Sequence, residues 1–358
     1  MEIRYIAPTE LRAHPDESAL GFGKYFTDHM LTVEYDRENG WHDACIAPFG
    51  PIALHPASTV LHYGSEVFEG LKAYRAADGS VRLFRPIENV RRMNQSAERL
   101  GLPQMDEQEM LSLILEIVRK DEDWVPHLPG TSLYIRPFLF GNDANLGVHS
   151  IHRATFVIIL SPVGAYYAEG INPVKIRIET EDVRAVRGGT GYAKCGGNYA
   201  ASVRAGEKAE KEGFTQVLWL DGVHRKYIEE VGAMNVMFKI NGTIITPQLT
   251  GSVLPGITRK SCITLLHDWG YSVEERLLSA EELFAAAESG ALEEAFGTGT
   301  AAVVSPIGLL RMNERSFTVN HGKIGPLTQR LYDTLTGIQW GTSPDPHNWI
   351  CPLRNTQA

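Results

Sequence analysis

Apolar positions along the chain switch between period two and period 3.6 in blocks, and the blocks can be read one after another. Between Gly64 and Leu83 an apolar run at Leu71–Tyr74 meets an Asp78-Gly79 turn and then the alternating Val81 and Leu83, which predicts a β-hairpin. Pro86 suits the first turn of a helix running to about Leu100, where Gly101 and Pro103 stop it. A second helix begins near Asp106, whose carboxylate can cap it, and places Met110, Leu111, Ile114, Ile117 and Val118 on one face. Thr131–Phe140 and Ala154–Leu160 read as strands. Turn formers then crowd into Ser161-Pro-Val-Gly and Glu169-Gly-Ile-Asn-Pro173, which predicts a linker over 166–174 between a domain at 1–165 and a second at 175–358.

In the second half Val174, Ile176 and Ile178 alternate as a strand, Asn198–Glu212 reads as a helix and Phe214–Leu220 as a buried strand. Met234–Ile245 is a second hairpin, turned at Asn241-Gly242, and helices are expected near Ile257–Trp269, Ala280–Glu288 and Pro326–Gln339. Strands and helices grouped in this way predict an α+β fold.

The 358 residues are 43% hydrophobic and 22% charged, the composition of a folded water-soluble protein. Lys and Arg number 34 against 43 Asp and Glu, a net charge of −9, with no basic run beyond Arg91-Arg92, so nucleic acid is not an expected partner. The apolar stretch Phe156–Leu160 is far shorter than the ~18 residues that a membrane span requires. The first residues carry no apolar signal core, which makes the cytoplasm the expected location. Cys45, Cys195, Cys262 and Cys351 show neither C-x-x-C nor metal-ligand spacing and read as reduced thiols, with no metal site expected. The zinc-protease, nucleophile-elbow and phosphate-loop motifs are absent.

Candidate chemistry concentrates in Gly188–Asn198, where five glycines flank one lysine, Lys194. So many glycines imply positive φ angles or close approach of backbone; a flexible surface loop with a solvated lysine is the plain alternative. A lysine held by such backbone beside Tyr192 and Tyr199 can lose its proton and attack a carbonyl, because burial lowers an ammonium pKa. Glu229-Glu230-Val231-Gly232 enters an apolar hairpin, and alternation turns its two acids to opposite faces. Leu254-Pro-Gly-Ile-Thr-Arg259 leads from a turn into a helix whose first amides are orphan donors suited to an anion. Gly297-Thr-Gly-Thr-Ala-Ala302 matches G-x-G-x-x-A, yet the following Val303-Val304-Ser305-Pro306 reads as strand, which argues against a dinucleotide fold.

The segments YGSEVFEGLKAY (63–74), LFRP with NVRRM (83–93), SLYIRPFLFG (132–141), KCGGNYAAS (194–202), EEVGAMN (229–235), LPGITR (254–259) and FGTGTAA (296–302) occur in an order that resembles the branched-chain amino-acid aminotransferases, from about Gly21 to Gln339. That family belongs to the fold-type IV pyridoxal-phosphate enzymes. The resemblance implies a two-domain α+β fold, with a smaller N-terminal α/β domain and a larger C-terminal, β-barrel-like domain with helices that carries the lysine. It implies an active site between the domains.

By the same resemblance, Lys194 is the catalytic lysine carrying pyridoxal 5'-phosphate as a Schiff base. Glu230 faces the ring nitrogen and Tyr199 the ring oxygen. Arg92, with the Ile257 and Thr258 amides and the Thr300 hydroxyl, takes the phosphate. Phe22, Tyr63, Phe68, Tyr134 and Tyr166 wall an apolar pocket, Arg136 engages the distal carboxylate of glutamate, and the Thr300 and Ala301 amides take the α-carboxylate. Leu146 and Val148 close the neighbouring subunit's pocket, which implies a homodimer. The expected reaction exchanges the amino group between leucine, isoleucine or valine and 2-oxoglutarate. Two departures stand out: Ala302 and Ser305 occupy positions where some animal members carry a redox cysteine pair, and Ala233 replaces a threonine. A D-amino-acid aminotransferase or an aminodeoxychorismate lyase of the same fold, and a non-catalytic metabolite-binding module, are the alternatives.

Overall fold

The computed structural model describes residues 1–164 and 171–354, and these divide into two units. The first comprises Met1–Ala168, Ala193–Gly196 and Gly337–Ala358; the second comprises Glu169–Tyr192 and Gly197–Thr336.

The first unit is built on a sheet of nine strands: β1 (Arg4–Tyr5), β2 (His29–Asp36), β3 (Gly40–Pro48), β4 (Glu66–Phe68), β5 (Leu71–Arg75), β6 (Val81–Phe84), β7 (Ser132–Gly141), β8 (Arg153–Val163) and β18 (Ile350–Pro352). Their order is β1-β3-β2-β8-β7-β5-β6-β18, with β4 paired to β7. The short helix α1 (Thr59–Tyr63) precedes β4. Helices α2 (Pro86–Leu100) and α3 (Glu107–Lys120) put Val90, Met93, Ala97, Met110, Leu113, Ile114, Ile117 and Val118 into one core with Leu31, Phe156 and Ile158. Their ends follow the local chemistry. Pro86 opens α2, Gly101 closes it at φ +65°, and the Asp106 carboxylate accepts the Gln108 and Glu109 amides at 3.0 Å at the start of α3.

The second unit holds another nine strands: β9 (Val174–Ile178), β10 (Gln216–Leu220), β11 (Ile228–Val231), β12 (Asn235–Ile240), β13 (Thr243–Pro247), β14 (Val273–Arg276), β15 (Leu292–Gly299), β16 (Val303–Met312) and β17 (Arg315–Thr318). The order is β11-β10-β9-β16-β15-β12-β13-β14, with β17 on β16. Asn241 and Gly242 both take positive φ, as the two-residue hairpin between β12 and β13 requires. Helices α4 (Gly196–Ala200), α5 (Val203–Lys211), α6 (Ile257–Asp268), α7 (Ala280–Glu288) and α8 (Pro326–Trp340) complete the described elements. Only the turn at 300–302 separates β15 from β16, so the G-x-G-x-x-A segment opens no helix.

Four expectations change. Ser161–Val163, read as turn formers, belong to β8. Strand β2 pairs no further along β8 than Ile159, so Pro162 interrupts no ladder on that side. The helix expected over Asn198–Glu212 is two, α4 and α5, separated at Ala201-Ser202. In α3 the buried position is Leu113, while Leu111 only flanks the core. The first unit is the larger, because the C-terminal strand β18 returns to pair with β6 and because the lysine segment Ala193–Gly196 is drawn into it. Ala193 and Cys195 bury their side chains there, and Cys195 bridges Val67.

No helix among the described residues is long and apolar enough to cross a membrane, and no described cluster of His, Cys, Asp or Glu could hold a metal ion. All four cysteines are free, and three of them are buried. Burial pushes the Cys262 thiol up to about 12. We predict that a thiol reagent in excess modifies Cys351 alone in the native protein and reaches Cys45, Cys195 and Cys262 only on unfolding. Rapid reaction of two or more thiols would contradict this packing.

Candidate active site

In the first unit the lysine is positioned through its backbone. The Lys194 amide donates to Ser96 Oγ of α2 at 2.9 Å, its carbonyl accepts the Phe68 amide at 2.9 Å, and the next residue forms the bridge to Val67. The side chain then reaches over Phe68, with Nζ 4.6 Å from the ring centroid. The Arg136 guanidinium lies 4.8 Å from the same centroid and 5.3 Å from that of Tyr134, and its Nη2 donates to the Tyr134 hydroxyl at 3.2 Å. Its Nε is buried without an acceptor, a donor waiting for one. Tyr134 meets Phe22 edge-on at 5.0 Å. Gly70 is required here: a Cβ on it would sit 2.0 Å from the Tyr134 hydroxyl.

Arg92, on α2, is buried and forked onto the buried Glu69, Nε to Oε1 at 2.7 Å and Nη2 to Oε2 at 2.9 Å. Asn89 Nδ2 and the Gly70 amide also donate to Oε2, at 2.8 and 3.0 Å. Burial pushes the Glu69 carboxyl upward, but the Arg92 charge and hydrogen bonds outweigh it and hold the group below its ordinary range. Glu69 was not a sequence candidate; its place in the quoted FEG segment was the only signal.

The second unit carries the other group. Glu229 and Glu230 are both buried, against the usual solvation of paired acids at a strand start. Glu230 forms an ion pair with Arg184 and accepts from Asn235 Nδ2 at 3.2 Å. Arg184 is itself fixed by the carbonyls of Gly191 at 2.9 Å and Ser252 at 2.6 Å. Gly191 lets that backbone close in, since a Cβ there would lie 2.3 Å from the Ser252 carbonyl oxygen. Glu229 instead accepts from Ser252 Oγ, and burial pushes its carboxyl up.

Asn235 links Glu230 to the start of α6. Its Nδ2 also donates to the Leu254 carbonyl at 2.9 Å, and a Cβ on Gly256 would meet its Oδ1 at 2.0 Å. Gly256 is the N-cap of α6 and offers no side-chain cap, so the first-turn amides at Ile257 and Thr258 keep their anion-binding capacity. Thr300 and Ala301 occupy the tight turn between β15 and β16, where Gly299 pairs with Val303. Val303 sits at φ +61°, a strained angle for a β-branched residue and a mark of a turn held in a specified shape.

The described structure thus groups Lys194, Phe68, Arg136, Tyr134, Phe22 and Arg92 in one unit, and Glu230, Ile257 and Thr258 in the other. Tyr199 lies in α4 and is partly buried. Tyr63, Leu146 and Val148 are exposed, and the Tyr63 hydroxyl donates to the Leu146 carbonyl. Tyr166 lies outside the described residues. Glu69, Arg184 and Asn235 are the residues that sequence reasoning did not single out.

Similarity to known proteins extends over most of the chain. The family model described as "Amino-transferase class IV" matches residues 66–310. The chain is 52% identical over 347 residues to "Branched-chain-amino-acid aminotransferase 2" of Bacillus subtilis (strain 168), covering 97% of this chain and 96% of the relative. Among solved structures, the branched-chain amino acid aminotransferase of Escherichia coli superposes with a TM-score of 0.75 at 29% identity, covering 86% of this chain and 97% of the other. The branched-chain aminotransferase from the thermophilic archaeon Thermoproteus uzoniensis, solved with norvaline, does so with a TM-score of 0.75 at 25% identity, covering 91% and 100%. The chain belongs to the class IV aminotransferases and, within them, to the branched-chain-amino-acid aminotransferases.

Proposed function

We propose that the protein transfers the amino group between leucine, isoleucine or valine and 2-oxoglutarate, with pyridoxal 5'-phosphate bound at Lys194. The observation that carries this reading is the Phe68 ring shared by the Lys194 amine at 4.6 Å and by the Arg136 guanidinium at 4.8 Å, the latter with an unpartnered buried Nε. A substrate whose α-carbon lies at the amine can lay its side chain along Phe68 toward Tyr134 and Phe22. An apolar chain is received by those rings, and a glutamate chain of similar length brings its carboxylate to Arg136. One pocket then serves both half-reactions.

The donor set fits the cofactor. Lys194 offers an amine for the aldehyde, Arg92 a guanidinium, and the uncapped start of α6 amide donors for a phosphate, with the Thr300 hydroxyl beside them in our reading. Glu230 offers a buried carboxylate for a protonated ring nitrogen, and Tyr199 a phenol for the ring oxygen. When bound, pyridoxal phosphate supplies the electron sink that makes the substrate Cα–H acidic. Lys194 Nζ would take the proton from the substrate Cα and pass it on to the cofactor in one half-reaction, and would deliver a proton to Cα of the oxo acid in the other. Arg184 keeps the charge on Glu230 compensated in its buried place, as Glu69 does for Arg92. The Thr300 and Ala301 amides hold the α-carboxylate.

A homodimer and a cytoplasmic location belong to the same proposal. The exposed Leu146 and Val148 side chains suit insertion against a second copy, and four free thiols suit a reducing compartment.

Lys194→Ala is expected to abolish turnover of leucine with 2-oxoglutarate while leaving the melting temperature nearly unchanged; retained turnover would refute the assignment. Arg136→Gln is expected to raise KM for 2-oxoglutarate by at least about tenfold, the worth of one charge-assisted hydrogen bond, and to leave KM for leucine within about twofold. Equal losses for both substrates would contradict the pocket. Sedimentation is expected to show a dimer that Leu146→Asp weakens; a monomeric wild-type protein with full activity would remove the second subunit from the account.

A further inference from the structure

Glu66 has no part in the scheme above, yet it lies among the groups that do. It begins β4, two residues before Phe68, and strand alternation turns both side chains to one face. Its Oε2 accepts the Gly196 amide at 3.0 Å, two residues beyond Lys194. The approach is close enough that a Cβ on Gly196 would meet that oxygen at 2.6 Å, which gives one of the five glycines around the lysine a reason. The charged groups acting on Glu66 are Arg136 from β7 and Lys194 from the 193–196 segment. Beyond Phe68 the next acid, Glu69, is taken up by Arg92 of α2. Burial pushes the Glu66 carboxyl up, and the Gly196 amide with the Arg136 and Lys194 charges draws it back.

Two cations resting on one phenyl ring need a counter-charge when an apolar substrate fills the pocket, because a half-buried, uncompensated guanidinium is costly. When the substrate brings a distal carboxylate, the same internal anion opposes it. Both requirements meet in one side chain.

We propose that Glu66 is a positioning and specificity-determining residue. Its carboxylate anchors the backbone beside Lys194 and serves as the counter-charge that Arg136 shares until the distal carboxylate of an acidic substrate arrives. This rests on the reading of Arg136 given above. The residue thereby balances the two half-reactions: it supports Arg136 while leucine is bound, and it keeps glutamate and 2-oxoglutarate from binding too tightly in a pocket that must also accept aliphatic chains.

Glu66→Gln keeps a carbonyl acceptor for the Gly196 amide and removes only the charge, whereas Glu66→Ala removes both. In Glu66→Gln, KM for 2-oxoglutarate should fall about three- to tenfold, the effect of one charge at intermediate range in a half-buried site, while KM for leucine should rise, because Arg136 is then left without its counter-charge beneath an aliphatic chain, and the melting temperature should not change. In the protein freed of cofactor, the pH midpoint for acetylation of Lys194 by acetic anhydride, followed by peptide mass, should fall by about half a unit to one unit, because a neighbouring anion favours the ammonium form. Glu66→Ala should in addition lower kcat further than Glu66→Gln does, as the lysine backbone then also loses its anchor.

If Glu66→Gln leaves both KM for 2-oxoglutarate and the Lys194 midpoint unchanged while Arg136→Gln still separates the two substrates, the Glu66 assignment is overturned and the pocket stands. If Arg136→Gln fails to separate them, the pocket reading has failed. The Lys194 midpoint then decides Glu66 by itself, a shift supporting the charge coupling and no shift ending it.

Discussion

The structure depends on the way a four-residue stretch, Ala193–Gly196, is stitched into the sheet of the first unit. Lys194 is flanked by two residues whose side chains are buried there, and its amide, its carbonyl and the amide of Gly196 are each committed, to Ser96, Phe68 and Glu66. A lysine on an ordinary loop samples many rotamers over a wandering backbone. Here the backbone is fixed by hydrogen bonds to a helix and a strand, so the amine explores only its own torsions above the Phe68 ring. The glycines that suggest flexibility in the sequence therefore do the opposite. Gly196 admits the Glu66 carboxylate and Gly191 the Ser252 carbonyl, both at distances that a Cβ would forbid.

Buried charge is the second theme, and it is handled the same way in both units. Arg92 is forked onto Glu69, and Glu230 is paired with Arg184; all four side chains are buried. Removing one member of such a pair typically costs about 3–5 kcal/mol because the other is left uncompensated. Each pair also fixes the orientation of a charged group, which under the proposed function is a guanidinium for phosphate in one unit and a carboxylate for a protonated ring nitrogen in the other. Asn235 extends this order to the start of α6 by bonding Glu230 and the Leu254 carbonyl together. A site arranged before the ligand arrives loses less to reorganisation when it binds.

Much of this was legible in the chain because the signals were local. Pro86 and Gly101 bound α2 to the residue, Asp106 caps α3, and Asn241-Gly242 turns its hairpin with both φ values positive. The quoted segments contain Lys194, Arg136 and Tyr134, and the fold brings the first two to the Phe68 ring and the last two into a hydrogen bond. What escaped was tertiary. Nothing near Glu69 or Arg184 in sequence announces a partner 23 or 46 positions away, and burial of Glu229 and Glu230 side by side runs against the habit of paired acids. Pro162 looked like a breaker because its tolerance depends on which neighbouring strand pairs beside it. The lysine was placed with the second domain because chain order gives no hint that four residues of it pack with the first.

The most direct test of the account is covalent. The protein, loaded with pyridoxal phosphate, is reduced with borohydride, digested and mapped by mass spectrometry. The account predicts a single phosphopyridoxyl group, on the peptide carrying Lys194 and on that side chain alone. A label on another lysine, or none on a protein that still transfers amino groups from leucine to 2-oxoglutarate, would contradict it.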